Sequence, residues 1–417
     1  MERTILHADL NCFYASVEMS CDPSLRSVPI AVVGDPERRH GIVLTRNYIA
    51  RACGVKTGQA IWQARQACPD LRLLPTDFPK YQDYSKRVRA ILLEYSSAVE
   101  GFGIDESWLD VTGSRTLFGS GEKIANELRE RVWEELGLTC SVGVSYNKVF
   151  AKLGSDYRKP NATTVITREN YRQIVWPLPV EDLLYVGHAT RQKLVRHGIT
   201  TIGGLAAASP DFLQSLLGVN GLMLSQFARG EDRSQVAEFG TEPPVKSVGN
   251  STTAPRDLCS DRDVRITLRI LCESVAERLR RAGMLGSCVT LSLRRTDLSW
   301  YERQTRCAYP VCNAPDILDA AWLLYRTVHD GSPLRSIGVR VSSLRAAGAP
   351  QLSLLPDEQR SLRREDLDRA VDTIRRRYGH GAICRGLLMT DPELSDLNPI
   401  EDQTIHPVAF LPTLRAK

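Results

Sequence analysis

The sequence has no C-x2-C pair; its 11 cysteines scatter from Cys12 to Cys384, with no histidine at ligand spacing. That argues against a zinc site and against a disulfide framework, and fits reduced thiols. No apolar run approaches the roughly 18 residues that a membrane helix needs, so no membrane partner is expected. The start, Met1-Glu2-Arg3-Thr4, lacks the charged region, apolar core and small-residue cleavage site of a signal peptide. The cytoplasm is the expected location. There is no Walker loop, so any nucleotide is held by another device. No fixed-period repeat occurs. Nor is there a strong excess of one charge: 54 Lys and Arg stand against 49 Asp and Glu, a net +5.

What is present is a chain that can bury cores. Its 417 residues are 42% hydrophobic and 25% charged, enough for two to four domains. The net charge is unevenly placed. Residues 1–170 carry 22 basic and 21 acidic side chains, residues 171–239 carry 6 and 6, and residues 346–417 carry 10 and 11. Residues 240–345 carry 16 and 11, and 15 of those 16 cations are Arg. The whole excess sits in that one segment.

The first block reads as mixed α/β. Thr4–Ala8 is a short apolar strand ending at Asp9. Residues 81–95 have helical apolar period, Val99–Thr112 reads as two strands around Asp105-Glu106, Glu122–Leu136 as a helix and Cys140–Ser145 as a strand. Together they give a split βαβ, ferredoxin-like plan. Residues 171–239 are helical and Gly-punctuated, as two turn-bearing helix pairs. Thr241–Pro244 reads as a linker. Residues 246–345 spell a second βαββαβ unit with cations on one sheet face. A helix over Leu367–Tyr378 and a strand-like Ala382–Met389 follow.

In such a sheet the first strand neighbours the central hairpin, so Asp9, Asp105 and Glu106 converge. Clustered carboxylates lose hydration and repel unless a cation fills the gap, and hard oxygen ligands select Mg2+ or Mn2+. One obstacle stands: adjacent strand residues face opposite sides, so Asp105 and Glu106 share a site only across a turn or bulge. The plain alternative makes Asp9 a helix cap and Asp105-Glu106 a solvated hairpin tip. Thr45, Tyr48 and Arg51, three apart, share one face if they lie on one helical turn, and offer a polyphosphate a hydroxyl, a phenol and a guanidinium. Lys159 ends a helix, free to meet phosphate; taken singly, it and Arg51 read equally as surface charges.

Several motifs in one order resemble the Y-family DNA polymerases of the bacterial DNA polymerase IV type. They are Asp9-Leu10-Asn11-Cys12-Phe13-Tyr14-Ala15-Ser16-Val17-Glu18, Ile104-Asp105-Glu106-Ser107-Trp108-Leu109-Asp110, Ser141 through Lys148, and Ala151 through Pro160. The resemblance covers residues 3–345. It implies an α/β (α+β) right hand. Palm and fingers would take residues 1–170 (fingers about 20–78), a helix-hairpin-helix thumb 171–240, a little finger 241–345 and a tail 346–417.

It implies metal ligation by Asp9, Asp105, Glu106 and the Leu10 carbonyl, with two Mg2+ per site or Mn2+ in their place. Phe13, Tyr14, Thr45, Tyr48, Arg51 and Lys159 would contact the dNTP, with Tyr14 as steric gate. DNA contacts would come from Gly187, Gly218 and Gly221, and from Arg294, Arg295, Arg303, Arg306, Arg340 and Arg345. Two departures stand out. Asn11 replaces a residue often acidic, and Tyr185 replaces a glycine of the first thumb hairpin, weakening its amide grip on phosphate.

Gln351-Leu352-Ser353-Leu354-Leu355 resembles the clamp-binding motif of bacterial replication proteins, with Gln351, Leu352, Leu354 and Leu355 as contacts. The expected function is template-directed, low-fidelity translesion synthesis on primer-template DNA by a monomer that engages the sliding clamp. The rivals are a nucleotide cyclase, which needs no basic second sheet, and a non-catalytic DNA-binding repair scaffold, which needs no carboxylate triad or gate.

Overall fold

A computed structural model describes residues 2–35, 41–241, 244–348 and 356–396. The chain separates into two compact units, with the division at Thr241/Glu242. The first unit runs β1 (Ile5–Leu10), α1 (Phe13–Cys21), β2 (Ile30–Val33), β3 (Val43–Arg46), α2 (Tyr48–Ala52), β4 (Arg72–Pro75) and α3 (Phe78–Leu93). It continues with β5 (Val99–Gly101), β6 (Glu106–Asp110), α4 (Gly121–Leu136), β7 (Cys140–Ser145), α5 (Lys148–Tyr157) and β8 (Thr163–Ile166).

Its main sheet has the order β5-β6-β1-β7-β8. The first four strands, with α3 and α4 between them, form the ferredoxin-like βαββαβ plan, and β8 adds a parallel edge beside β7. β1 is central and buried at all six positions, which is why it reads as a continuous apolar run. α4 places Ile124, Ala125, Leu128, Val132 and Leu136 in the core, from one stripe of the helix. Its N-cap Ser120 accepts from Lys123 N–H, and Gly137 at φ 66° ends it. A separate small sheet, β3-β2-β4, carries its own apolar cluster around Val33, Val43, Val55 and Ala64.

After β8 the first unit turns helical: α6 (His188–Arg196), α7 (Pro210–Leu217) and α8 (Val219–Ala228) pack with a short helix at Ile202–Ala207. The second unit comprises β9 (Ser247–Leu258), α9 (Asp261–Arg281), β10 (Met284–Arg295), β11 (Trp300–Val311), α10 (Ala314–Val328), β12 (Leu334–Ala346) and α11 (Pro356–Tyr378). The element sequence is again βαββαβ, but the antiparallel sheet has the order β11-β10-β12-β9. It therefore differs from the first sheet, whose opening strand is central rather than at an edge. Val289, Leu291, Leu293, Ile337, Val339 and Val341 face the helices and fill one core.

Two tail expectations change. The helix begins at Pro356, eleven residues before Leu367. Ala382–Met389 is no strand: short 3-10 turns at His380–Ala382 and Leu388–Thr390 take its place. Apolar Leu388 and Leu394 are drawn into the core of the second unit instead.

Candidate active site

The register of β1 against β6 sets Asp9 directly opposite Glu106, and β1 against β7 sets it opposite Ser141. Cross-strand partners point to one side of a sheet, so both carboxylates share a face. Asp105 is not on a strand. It closes the bend 102–105, where Gly103 has φ 96°, and its carbonyl accepts the Leu10 N–H at 3.0 Å. The turn removes the alternation obstacle, because Asp105 escapes the pleat that would send it to the far side.

That bend is held from α3. Arg89, buried, donates to the Gly103 carbonyl at 2.8 Å, and the Ser85 hydroxyl donates to the Ile104 carbonyl. Burial holds the Arg89 guanidinium down to about 10. Neither residue stands out in the sequence; their one signal is their place on the inward stripe of α3, beside Val88 and Leu92.

Two ammonium groups reach the carboxylates. Lys152 Nζ, from α5, lies 2.8 Å from Glu106 Oε2, 3.1 Å from Asp9 Oδ2 and 3.2 Å from Asp156 Oδ2. Lys159 Nζ lies 2.7 Å from Asp9 Oδ2 and 2.8 Å from Asp156 Oδ1. His7, fully buried and with its pKa lowered by that burial, sits 2.8 Å from Ser155 Oγ and 3.3 Å from Glu106 Oε2. Sequence reasoning misses Lys152, Asp156 and His7 as well.

The charges respond. Burial, then the charges of Glu106 and Asp9, push Asp105 up to about 7. Burial raises Asp9 as well, although Lys152 and Lys159 oppose it. At Glu106 burial would raise the carboxyl, but His7 and Lys152 outweigh it and hold the group below the usual range. As placed, no three ligand side chains among the described residues are close enough to bind a metal. The donor set still fits a hard divalent cation: all ligands are oxygen, and the cluster has already drawn in two cations while Asp105 remains short of one.

Tyr14 is clamped. Its ring stacks on Tyr81 at 4.4 Å between centroids and 14° between planes, with Phe78 edge-on at 6.0 Å and Phe13 at 5.6 Å. Tyr81 is itself fixed, donating to Glu18 Oε1 at 2.8 Å. Burial, then the charge of Asp105, raise the Tyr14 hydroxyl.

Thr45 lies on β3, whereas Tyr48 and Arg51 lie on α2, so the three do not share one helical turn. Asn47 makes the corner between them. Its Oδ1 accepts from Ala50 N–H at 3.0 Å and Ile30 N–H at 3.2 Å, and its amide donates to the Val28 carbonyl at 2.8 Å. The Arg51 guanidinium lies over the Tyr48 ring at 5.9 Å. Asn11 is buried; its Oδ1 accepts from Asn161 N–H at 2.8 Å and its amide donates to Ser141 at 3.0 Å. It thus fixes the turn after Lys159.

Residues 8–156 match the impB/mucB/samB family and residues 245–354 its C-terminal domain. A DNA polymerase IV of Acetivibrio thermocellus is 47% identical over 397 residues, 95% of this chain and 100% of the relative. The chain belongs to the Y-family of DNA polymerases, in the DNA polymerase IV group. DNA polymerase IV 2 of Bacillus subtilis is 36% identical, covering 93% of this chain and 95% of the relative. A solved Y-family DNA polymerase chimera superposes with a TM-score of 0.72 at 25% identity, over 82% of this chain and 99% of its own. The enzyme is a DNA-directed DNA polymerase of the translesion kind, and neither the cyclase nor the scaffold reading finds support. Membership implies DNA and dNTP substrates and a divalent-cation requirement in general. No described helix is long and apolar enough to cross a membrane.

The polymerase's remaining predicted residues divide. At the first hairpin Tyr185 keeps the left-handed conformation (φ 69°) usual for glycine and stands exposed, and Gly187 caps α6. At the second, Gly218 has φ 66° and caps α8. Gly221 is a packing residue: a Cβ there would fall 2.1 Å from the Leu213 carbonyl oxygen of α7. It offers a close helix approach, not an exposed amide.

On the second sheet the expectation of one cationic face needs correcting. Arg306 pairs with Cys288 and Arg340 with Thr290, in line with Arg294 on the face away from the helices. Arg303 pairs with core residue Leu291 and takes the opposite face. Arg295 follows Arg294 and points the other way, to Asp330 at 2.6 Å and over the Tyr301 ring at 5.0 Å. Strand alternation separates the set. Arg345, exposed, lies past Ser343, whose φ of 54° interrupts the alternation. Gln351, Leu352, Leu354 and Leu355 lie outside the described residues.

Proposed function

We propose that this Y-family polymerase extends a DNA primer with dNTPs, inaccurately and across damaged templates, using the face shared by Asp9 and Glu106. The observation that carries the reading is their direct pairing across β1–β6, with Asp105 in the adjoining turn. Asp9, Asp105, Glu106 and the Leu10 carbonyl would hold the divalent cations, two Mg2+ or, in their place, Mn2+. Once bound, these supply a lowered hydroxyl pKa and neutralise the leaving pyrophosphate.

The chain's own groups do the rest. Thr45, Tyr48, Arg51 and Lys159 hold the triphosphate, Lys159 leaving Asp9 to do so. Phe13 packs beside the sugar, and Tyr14, braced on Tyr81, closes the volume a ribose 2′-OH would need. The primer 3′-OH attacks the α-phosphate and pyrophosphate departs. In the resulting assignment residues 1–170 are palm and fingers, 171–240 thumb, 241–345 little finger and 346–417 tail. The amides at Gly187 and Gly218 meet the DNA backbone. Arg294, Arg306 and Arg340 position it without reading sequence. Residues 351–355 bind the sliding clamp, and the enzyme works in the cytoplasm as a monomer.

Primer extension on undamaged and abasic templates with Mg2+ tests the reading. Incorporation on both, lost in Asp105→Ala, is expected; no dNTP incorporation by the wild type would contradict it.

A further inference from the structure

We infer that Lys152 is a resident counter-cation of the palm, holding Asp9 and Glu106 until a divalent cation displaces it towards Asp156. The inference rests on the metal-ligand reading of Asp9, Asp105 and Glu106 given above.

The geometry argues for it in three steps. Lys152 Nζ bridges Asp9 and Glu106, the directly opposed pair, at 3.1 and 2.8 Å, the position a bridging cation would take. Its side chain is 15% exposed and those of its partners 5% and 20%, so little solvent screens the contact. A third partner, Asp156 Oδ2, waits 3.2 Å away, four residues along the same helix and 48% exposed. A displaced Lys152 therefore has a carboxylate to move to without crossing the site.

Charge gives the reason for displacement. The cluster holds four carboxylates, Asp9, Asp105, Glu106 and Asp156, and two ammoniums, Lys152 and Lys159. The ammoniums are half as many as the carboxylates, which leaves the cluster short of positive charge. Two ammoniums stabilise the bare cluster, but among the described residues neither forms an ion pair with Asp105. A divalent cation held by Asp9, Asp105 and Glu106 would supply that charge, once the three side chains draw together. Without Lys152 the bare carboxylates would repel and open the β1–β6 end of the sheet. With it the site stays assembled between turnovers.

Lys152 is a positioning residue in this account, and it makes metal-free stability and metal affinity pull in opposite directions. Asp156 has the reverse effect: by receiving Lys152 it eases metal entry. Generic damage to the site would lower affinity in both variants, so the signs are diagnostic.

The test is Mn2+ binding to the full chain without DNA or nucleotide, followed by electron paramagnetic resonance of the free ion. Lys152→Gln should bind Mn2+ about tenfold more tightly than wild type. Asp156→Asn should bind it about threefold more weakly. Thermal melts in chelator should show Lys152→Gln unfolding below wild type, with saturating Mn2+ closing the gap. Should Lys152→Gln fail to fold even with Mn2+, Asp156→Asn still decides: affinity equal to or above wild type overturns the inference. Unchanged or weakened binding in folded Lys152→Gln also overturns it while leaving the ligand assignment intact. No Mn2+ binding by wild type overturns both.

Discussion

Tyr14 and Tyr81 stack face to face, 4.4 Å between ring centroids, although 67 positions separate them in the chain. In its proposed role as steric gate Tyr14 must not swing away, and Tyr81 supplies the wall. Phe78 and Tyr81 sit three apart at the start of α3, so one helical face carries both braces. Removing the ring in Tyr14→Ala should let ribonucleotides in, lowering the deoxy-to-ribo efficiency ratio by about a hundredfold or more. In Tyr81→Ala the gate remains but loses its brace, so the ratio should fall by about three- to tenfold, the worth of one aromatic pair. Steady-state kcat/KM for matched dNTP and rNTP pairs measures both. Equal ratios in wild type and Tyr14→Ala would remove the gate assignment.

The strand register makes a second prediction. Arg306 and Arg340 lie on the outer face of the second sheet and Arg303 on the helix side, although all three are exposed. Removing one phosphate-binding cation should flatten the slope of log affinity against log salt by about one. Arg340→Ala and Arg306→Ala should each do so, and Arg303→Ala should leave slope and affinity near wild type. Fluorescence anisotropy across a salt series distinguishes them.

The tail packs on the second unit through several ion pairs, among them a buried one centred on Arg280. Arg280, 6% exposed, makes a two-pronged pair with Asp372 at 2.8 Å and reaches Asp368 at 3.3 Å on α11. Asp368 also accepts the Ala314 N–H at 2.7 Å. Removing the cation leaves buried Asp372 unpaired, which costs about 3–5 kcal/mol, while Asp368 keeps Arg385 at 3.0 Å. Arg280→Ala should therefore loosen α11, still held by Arg364 and Arg375, and limited trypsin digestion should cut within 356–396 at lower protease than in wild type.

Much of this is legible in the sequence, and what is not has physical causes. Continuous apolar runs locate β1 and β7, buried at every position, helical period locates α4, and alternation locates β10 and β12. The convergence of Asp9 with Glu106 follows from topology. The position of Asp105 does not, since only the Gly103 turn, pinned by Arg89 and Ser85, decides which way it faces. Lys152 reads as one more helix cation; nothing local says that its ammonium enters a buried acidic cluster. Arg303 shows the same limit from the other side: composition reveals an Arg-rich sheet, but register against Leu291 sets the face. Tyr185 reads as a missing glycine, yet the hairpin keeps its left-handed turn at a cost of about 1 kcal/mol.

The carboxylates carry the central claim, and Asp105→Asn tests it most directly, since it preserves size and removes the negative charge and one acceptor oxygen. Single-turnover primer extension with saturating Mg2+ and dNTP should show incorporation slowed by at least about a thousandfold, with DNA affinity unchanged. Incorporation by Asp105→Asn at the wild-type rate would contradict the account.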